Sequence, residues 1–250
     1  MNSIKFQVKH GIATGISFLK PVADNLPSHR CLMYHSLENP FYDSGDLYSL
    51  PVDQFKQQIE WLKENGFRFR PFGSNDPVRN ATEISVTFDD GFLDNYTEAM
   101  PFLVSQGVPF TVFMISDFIG AEYKNYLNVH ELREMVKNPL VTIGGHGKSH
   151  SNLLHLSHEA AVAELTESKK TLEDVLGKEV TTMSFPHGGF NEGLVEAAAN
   201  LGFKKCGTSV ALPNFSAGTV KVNRQAIFFC DGSISFKQKV KGQWDWTATL

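Results

Sequence analysis

Cysteine is scarce in this chain of 250 residues: Cys31, Cys206 and Cys230 are all there is. An odd number excludes a complete set of internal disulfides, and no short spacing suggests a thiolate metal site. A reducing compartment is the expectation. Long apolar runs are missing as well. The stretch "GIATGISFL", which follows Lys5 and Lys9, is short and broken by Gly, Thr and Ser, with no small-residue cleavage pattern behind it. It predicts an amphipathic or frayed N-terminal segment over 1–28 rather than an export signal. No other segment approaches the ~18 apolar residues that cross a bilayer. The expectation is a cytoplasmic protein without an integral membrane segment. There is no basic excess either: 23 Lys and Arg against 27 Asp and Glu leave a net charge of −4. That balance argues against a nucleic-acid partner. Internal repeats and low-complexity tracts are also absent, and nothing in the sequence fixes an oligomeric state.

What is present is ordinary globular material, 42% hydrophobic and 20% charged. Strand-like and helix-like segments alternate. Strands are predicted at 29–35, 84–88, 109–115, 141–146, 180–185, 203–208 and 220–228. Helices are predicted at 51–66, 94–107 with a bend at Pro101, 128–138, 157–177, 191–202 and 233–242. The helix at 157–177 begins at a Ser and ends at a Gly, the usual punctuation. About seven strands separated by helices predict an α/β fold with a parallel sheet, open or closed into a barrel. A single domain over 29–250 is the simplest organisation. Loops are expected at 36–50, 73–82 and 212–219, and the aromatic-rich first one follows a strand end, where it can contribute to a pocket.

The chemistry gathers at strand ends, the functional face of parallel α/β folds. "ISVTFDDGF" ends a strand with Asp89 and Asp90 side by side. Two neighbouring carboxylates need solvent, a cation or a proton to coexist, and Asp-Gly is also a common solvated turn. "HGKSH" places His146 and His150 four residues apart, on one face if the segment is helical or tightly turned. "SFPHG" brings His187, and the first strand ends at His35. Two imidazoles and a carboxylate suit a divalent transition metal. His155 and His158 lie close by, so a His-rich surface loop is the bland alternative. His10, His29 and His130 are assigned to the surface.

"TFDDG", "HGKSH" followed by "SNL", and "SFPHG" resemble, in order and spacing, the signatures of the polysaccharide deacetylase family, carbohydrate esterase family four. The resemblance covers roughly residues 30–230. It implies a distorted (β/α) barrel of about seven parallel strands that removes acetyl groups from amino sugars with a divalent metal. Zinc is the first candidate, with cobalt, nickel or ferrous iron as alternatives. Carried across, the resemblance makes Asp90, His146 and His150 the metal ligands and Asp89 the catalytic base. Asp90 would then be neutralised by the metal, leaving Asp89 free to take a proton from water the metal activates.

Two departures stand out. Many members carry an Arg before the Pro-Tyr-Gly of the third motif, to orient the base. Here Phe185 precedes Pro186, and His187 replaces the tyrosine. The His187 N–H still suits an oxyanion donor, its imidazole either meets substrate or lines the groove, and Arg224 is the candidate replacement cation unless it is structural. The family's late acid histidine is also missing, since no histidine follows Arg224. "CLMYH" offers His35 instead, as in the family's circularly permuted branch; a core or capping histidine is the alternative. The resulting expectation is a metal-dependent N-deacetylase acting on an N-acetylated sugar or glycan, in bacterial surface polysaccharide or lipopolysaccharide synthesis. An amide hydrolase on a non-sugar substrate and a catalytically silent glycan-binding protein are the alternatives.

Overall fold

The computed structural model describes residues 3–20, 28–38, 47–78, 82–121, 125–216 and 218–249. Strands β1 (His29–Tyr34), β5 (Glu83–Phe88) and β6 (Phe110–Met114) are buried along their whole length. A parallel strand covered on both faces buries every side chain, and among the polar ones here His29, Glu83, Ser85 and Thr87 have hydrogen-bond partners. With β7 (Val141–Gly145), β8 (Thr182–Ser184) and β9 (Lys205–Gly207) they pair in parallel in the order β9-β8-β7-β6-β5-β1. The predicted strand over 220–228 is split at Asn223 into β10 (Lys221–Val222) and β11 (Arg224–Ala226). β10 pairs with β9 and β11 with β1, so the two edges of the sheet meet on one short segment. This curls the sheet round Cys31, Phe113 and Val222, while Phe88, Phe110 and Met183 face the helices outside it. The expected α/β architecture of parallel strands is what the chain adopts.

Three two-residue strands were not anticipated: β2 (Ser36–Leu37) with β3 (Ser49–Leu50), and β4 (Arg68–Phe69) beside β5. The first pair flanks residues 39–46, the centre of the predicted aromatic loop, which lie outside the described residues. The predicted helices appear as α2 (Val52–Glu64), α3 (Met100–Ser105), α4 (Val129–Met135), α5 (His158–Leu176), α6 (Glu192–Asn200) and α7 (Ser233–Val240). The break expected at Pro101 comes earlier, as a π-helical turn over Asn95–Ala99. Pro101 then falls in the first turn of α3, where a missing N–H costs nothing. Ser157 caps α5 by accepting from the Ala160 N–H, and Gly177 ends it in the left-handed region.

The N-terminal segment forms helix α1 (Ser3–Ser17), docked against α7. Two surface assignments are overturned here. His10 is buried because its Nε2 bonds Asp231 at 2.8 Å, and Asp231 also holds buried Lys239. His29 is buried at the start of β1, with Nε2 2.8 Å from the Ser85 hydroxyl. Each ring has a specific partner more than 50 residues away, which rewards burial that solvent would otherwise contest. His130 is exposed, as expected. All three cysteines are free thiols.

Candidate active site

β5 ends in a double left-handed turn, with Asp90 at φ 73° and Gly91 at φ 83°. Aspartate is among the few side chains that tolerate this region. At Gly91 a Cβ would fall 2.1 Å from the Met114 sulfur, so only glycine fits. The turn separates the two carboxylates: Asp89 points inside the curled sheet to Arg224, and Asp90 towards the loop after β7.

That loop carries His146 and His150, and of the two geometries expected it adopts the tight turn. The segment is not helical. Left-handed residues at Gly147 (φ 72°) and His150 (φ 63°) fold it back on itself. Helix α5 pins it: the Glu164 carboxylate accepts from the N–H groups of Lys148 and Ser149 and from the Ser149 hydroxyl. His146 is aimed by Ser184, whose carbonyl and hydroxyl lie 3.0 and 2.6 Å from Nδ1. Both Nε2 atoms then face Asp90 Oδ1, at 3.4 Å from His146 and 3.3 Å from His150.

The potential ligand atoms of Asp90, His146 and His150 all lie within 4.8 Å of one another. Ligands about 2.0–2.1 Å from zinc stand about 3.3–3.4 Å apart at a tetrahedral angle, which the spacing of Asp90 Oδ1 matches. Asp90 Oδ1 is also buried with no hydrogen-bond partner, a costly state for a carboxylate unless a cation relieves it. Burial, then His146, lowers the His150 pKa to about 4, so its imidazole is neutral and ready to ligate. Burial opposes charge on His146 too, but Asp89 and Asp90 outweigh it and raise its pKa. The donor set therefore fits a divalent transition metal, which would take the neutral imidazoles of His146 and His150.

Asp89 makes no such opening. Arg224, fully buried on β11, grips it with Nη1 at 2.6 Å from Oδ1 and Nη2 at 2.8 Å from Oδ2. The guanidinium is itself held by the Thr208 carbonyl and lies over the Phe113 ring. It passes so close to Gly207 that a Cβ there would sit 2.7 Å from Nε. Burial pushes the Asp89 carboxyl up, but Arg224 overrides it and holds it well below the usual carboxylate range. The cation absent from the third motif is thus delivered by a different strand.

His35 follows β1 on the same rim. Its ring packs against Tyr48, tilted by 49° with centroids 4.4 Å apart, and Nδ1 is buried with no hydrogen-bond partner. Burial lowers its pKa, while Asp90 and Asp89 pull the other way from across the site. Pro186 is buried, with exposed His187 beside it. His187 lies over His150 at 4.3 Å and bonds the His150 carbonyl through Nε2 at 2.9 Å, so the imidazole buttresses the ligand loop. No acceptor takes the His187 N–H among the described residues. Tyr48 comes from the aromatic loop 36–50 expected to contribute to a pocket. Ser184 and Glu164 were missed in the sequence, and only Ser184 left a signal, as a polar residue ending a strand on the inward face.

Residues 77–206 match the sequence profile of polysaccharide deacetylases. The chain belongs to the polysaccharide deacetylase family. The matched span holds Asp89, Asp90, His146, His150, Pro186 and His187; His35 and Arg224 lie outside it. YxkH of Bacillus subtilis (strain 168), which carries a provisional polysaccharide deacetylase name, is 31% identical over 69% of this chain and 61% of its own length. The poly-beta-1,6-N-acetyl-D-glucosamine N-deacetylase of Staphylococcus aureus (strain MSSA476) is 27% identical over 63% of this chain and 60% of its own. The chain therefore spans about 60% of the length of these relatives. The fold resembles that of the Streptococcus pyogenes deacetylase PplD, solved in complex with acetate. There the TM-score is 0.73 at 22% identity, covering 85% of this chain and 98% of that one.

Proposed function

We propose that this deacetylase-family chain is a metal-dependent N-deacetylase of N-acetylated sugars, with β-1,6-linked N-acetylglucosamine oligomers as the first substrate to test. The observation that carries this reading is the unequal state of two adjacent carboxylates. Asp89 is saturated by Arg224, whereas Asp90 presents a buried, unbonded oxygen to two imidazoles. Asp90, His146 and His150 would hold the ion. Zinc suits two nitrogens and one oxygen, and cobalt, nickel or ferrous iron also fit. A divalent ion held there supplies acidified water and polarises the acetyl carbonyl.

The chain's own residues supply the rest. Asp89, kept ionised and oriented by Arg224, takes the proton of the attacking water. The His187 N–H donates to the developing oxyanion. His35 delivers a proton to the sugar nitrogen as the C–N bond breaks, giving acetate and a free amine. The setting we assign is bacterial surface polysaccharide or lipopolysaccharide synthesis on the cytoplasmic side, a reading supported by the three free thiols. Acetate release from N-acetylglucosamine oligomers by metal-loaded protein tests the reaction. Acetate and free amine should appear in equal amounts and stop with a chelator. Hydrolysis of simple acetamides with no acetate from any N-acetyl sugar would reassign the chain to non-sugar amides.

A further inference from the structure

Helix α1 is anchored by one face only. Phe6 meets Phe228 edge-on at 4.9 Å, His10 bonds Asp231, and Gln238 and Gln243 donate to the Thr14 and Ser17 carbonyls. The opposite face carries Val8, Ile12 and Ile16, spaced by four residues, and Leu19 follows in the turn after the helix. All are exposed, from 39% at Ile16 to 86% at Leu19. Lys5 and Lys9 lie along the same arc, and both are exposed. Charge is distributed just as unevenly. Residues 1–23 hold Lys5, Lys9 and Lys20 with no acid, so the other 20 Lys and Arg face all 27 Asp and Glu.

An apolar stripe edged with lysines, on an otherwise acidic molecule, is complementary to one kind of surface. We infer that the outer face of α1 seats the protein on an anionic lipid bilayer. Its 15 residues span only about 22 Å, less than the ~30 Å hydrocarbon core, so the helix lies in the interface with its lysines among the headgroups. Among the described residues no helix is long and apolar enough to cross a membrane. The position also serves the site. Phe6 packs on Phe228, Phe228 lies 5.6 Å from Tyr48, and Tyr48 packs against His35. A bilayer under α1 therefore lies a few side chains from the catalytic rim, suited to a glycan that is membrane-tethered or leaving the membrane. The inference does not depend on the reaction assigned above.

Cosedimentation of the full chain with phosphatidylcholine vesicles, with and without phosphatidylglycerol, tests it. Binding should require phosphatidylglycerol and fall with salt. The Lys5→Gln/Lys9→Gln double variant should bind about 30-fold more weakly, at about fivefold per lysine. Ile12→Glu should abolish binding, while acetate release from a soluble substrate and the thermal midpoint stay unchanged for both variants. As a check independent of those variants, a tryptophan introduced by Val8→Trp should shift its emission to the blue on anionic vesicles. No binding to phosphatidylglycerol vesicles, or unchanged binding by the double variant, would overturn the inference. A dimer that Ile12→Glu dissociates, with vesicles ignored, would assign the face to a second copy of the chain.

Discussion

The two ends of the curled parallel sheet are built from the same residue types and behave oppositely. At the N-terminal end, buried His29 bonds Ser85, and Arg70 pairs with Glu83 at 2.5 Å while donating to the carbonyls of Ser74 and Asp76. Lys205 reaches the Thr219 carbonyl. At the C-terminal end, Asp89 and Arg224 form an equally complete pair, yet beside them Asp90 Oδ1 and His35 Nδ1 are buried with nothing to bond. Among the described residues these are the titratable side chains with a buried unpartnered atom; the others so placed are hydroxyls and amides. Buried charge alone therefore marks no site. Unspent bonding capacity beside buried charge does.

The sharpest way to break this contrast is to remove a ligand from one end. His150→Ala should cost far more metal affinity and turnover than the ~10–100-fold that follows loss of an outer support. Turnover within tenfold of wild type would show that the rim is as structural as the opposite end of the sheet. Next come the two buried ion pairs. Asp89→Asn should lower turnover by ~10²–10⁴-fold and, by leaving Arg224 without its counter-charge, lower stability by about 3–5 kcal/mol. Glu83→Gln should give a comparable stability loss, read by denaturant unfolding, with turnover per folded molecule unchanged. If both variants lose turnover alike, the ends are not functionally distinct.

Smaller effects sharpen the comparison. Glu164→Ala releases the loop between the two histidines and should weaken metal binding ~10–100-fold, measured by chelator competition. At the other end, burial first and then Arg70 and Lys205 lower the His29 pKa from 6.5 to about 3. A histidine with a depressed folded-state pKa contributes stability above 6.5 that is lost as pH falls towards 3, because the unfolded state binds the proton first. His29→Gln should remove about 2 kcal/mol of the stability difference between pH 7 and pH 5. An unchanged acid limb in this variant would show that His29 is not held neutral.

Much of the site could be read in the sequence because each motif ends a strand, and parallel strands deliver their ends to one rim. Arg224 was a candidate as the cation missing from the third motif, although its grip on Asp89 depends on the open space at Gly207. What escaped were contacts between residues far apart with no pattern of their own. Glu164 reaches the His146–His150 loop from a helix face that reads as solvated, and Ser184 aims His146 across 38 residues. His10 and His29 were misplaced because a lone histidine shows its polarity in sequence but not its partner. The strands β2, β3 and β4 are too short to carry a periodicity, and the π-turn at 95–99 has no residue signature.

The central claim is that adjacent aspartates divide the work, Asp90 as metal ligand and Asp89 as base. Elemental analysis of purified Asp89→Asn and Asp90→Asn, beside wild type, tests it most directly. The account predicts about one divalent ion per chain in wild type and in Asp89→Asn, and almost none in Asp90→Asn. Equal metal in both variants, or loss from Asp89→Asn alone, would contradict it.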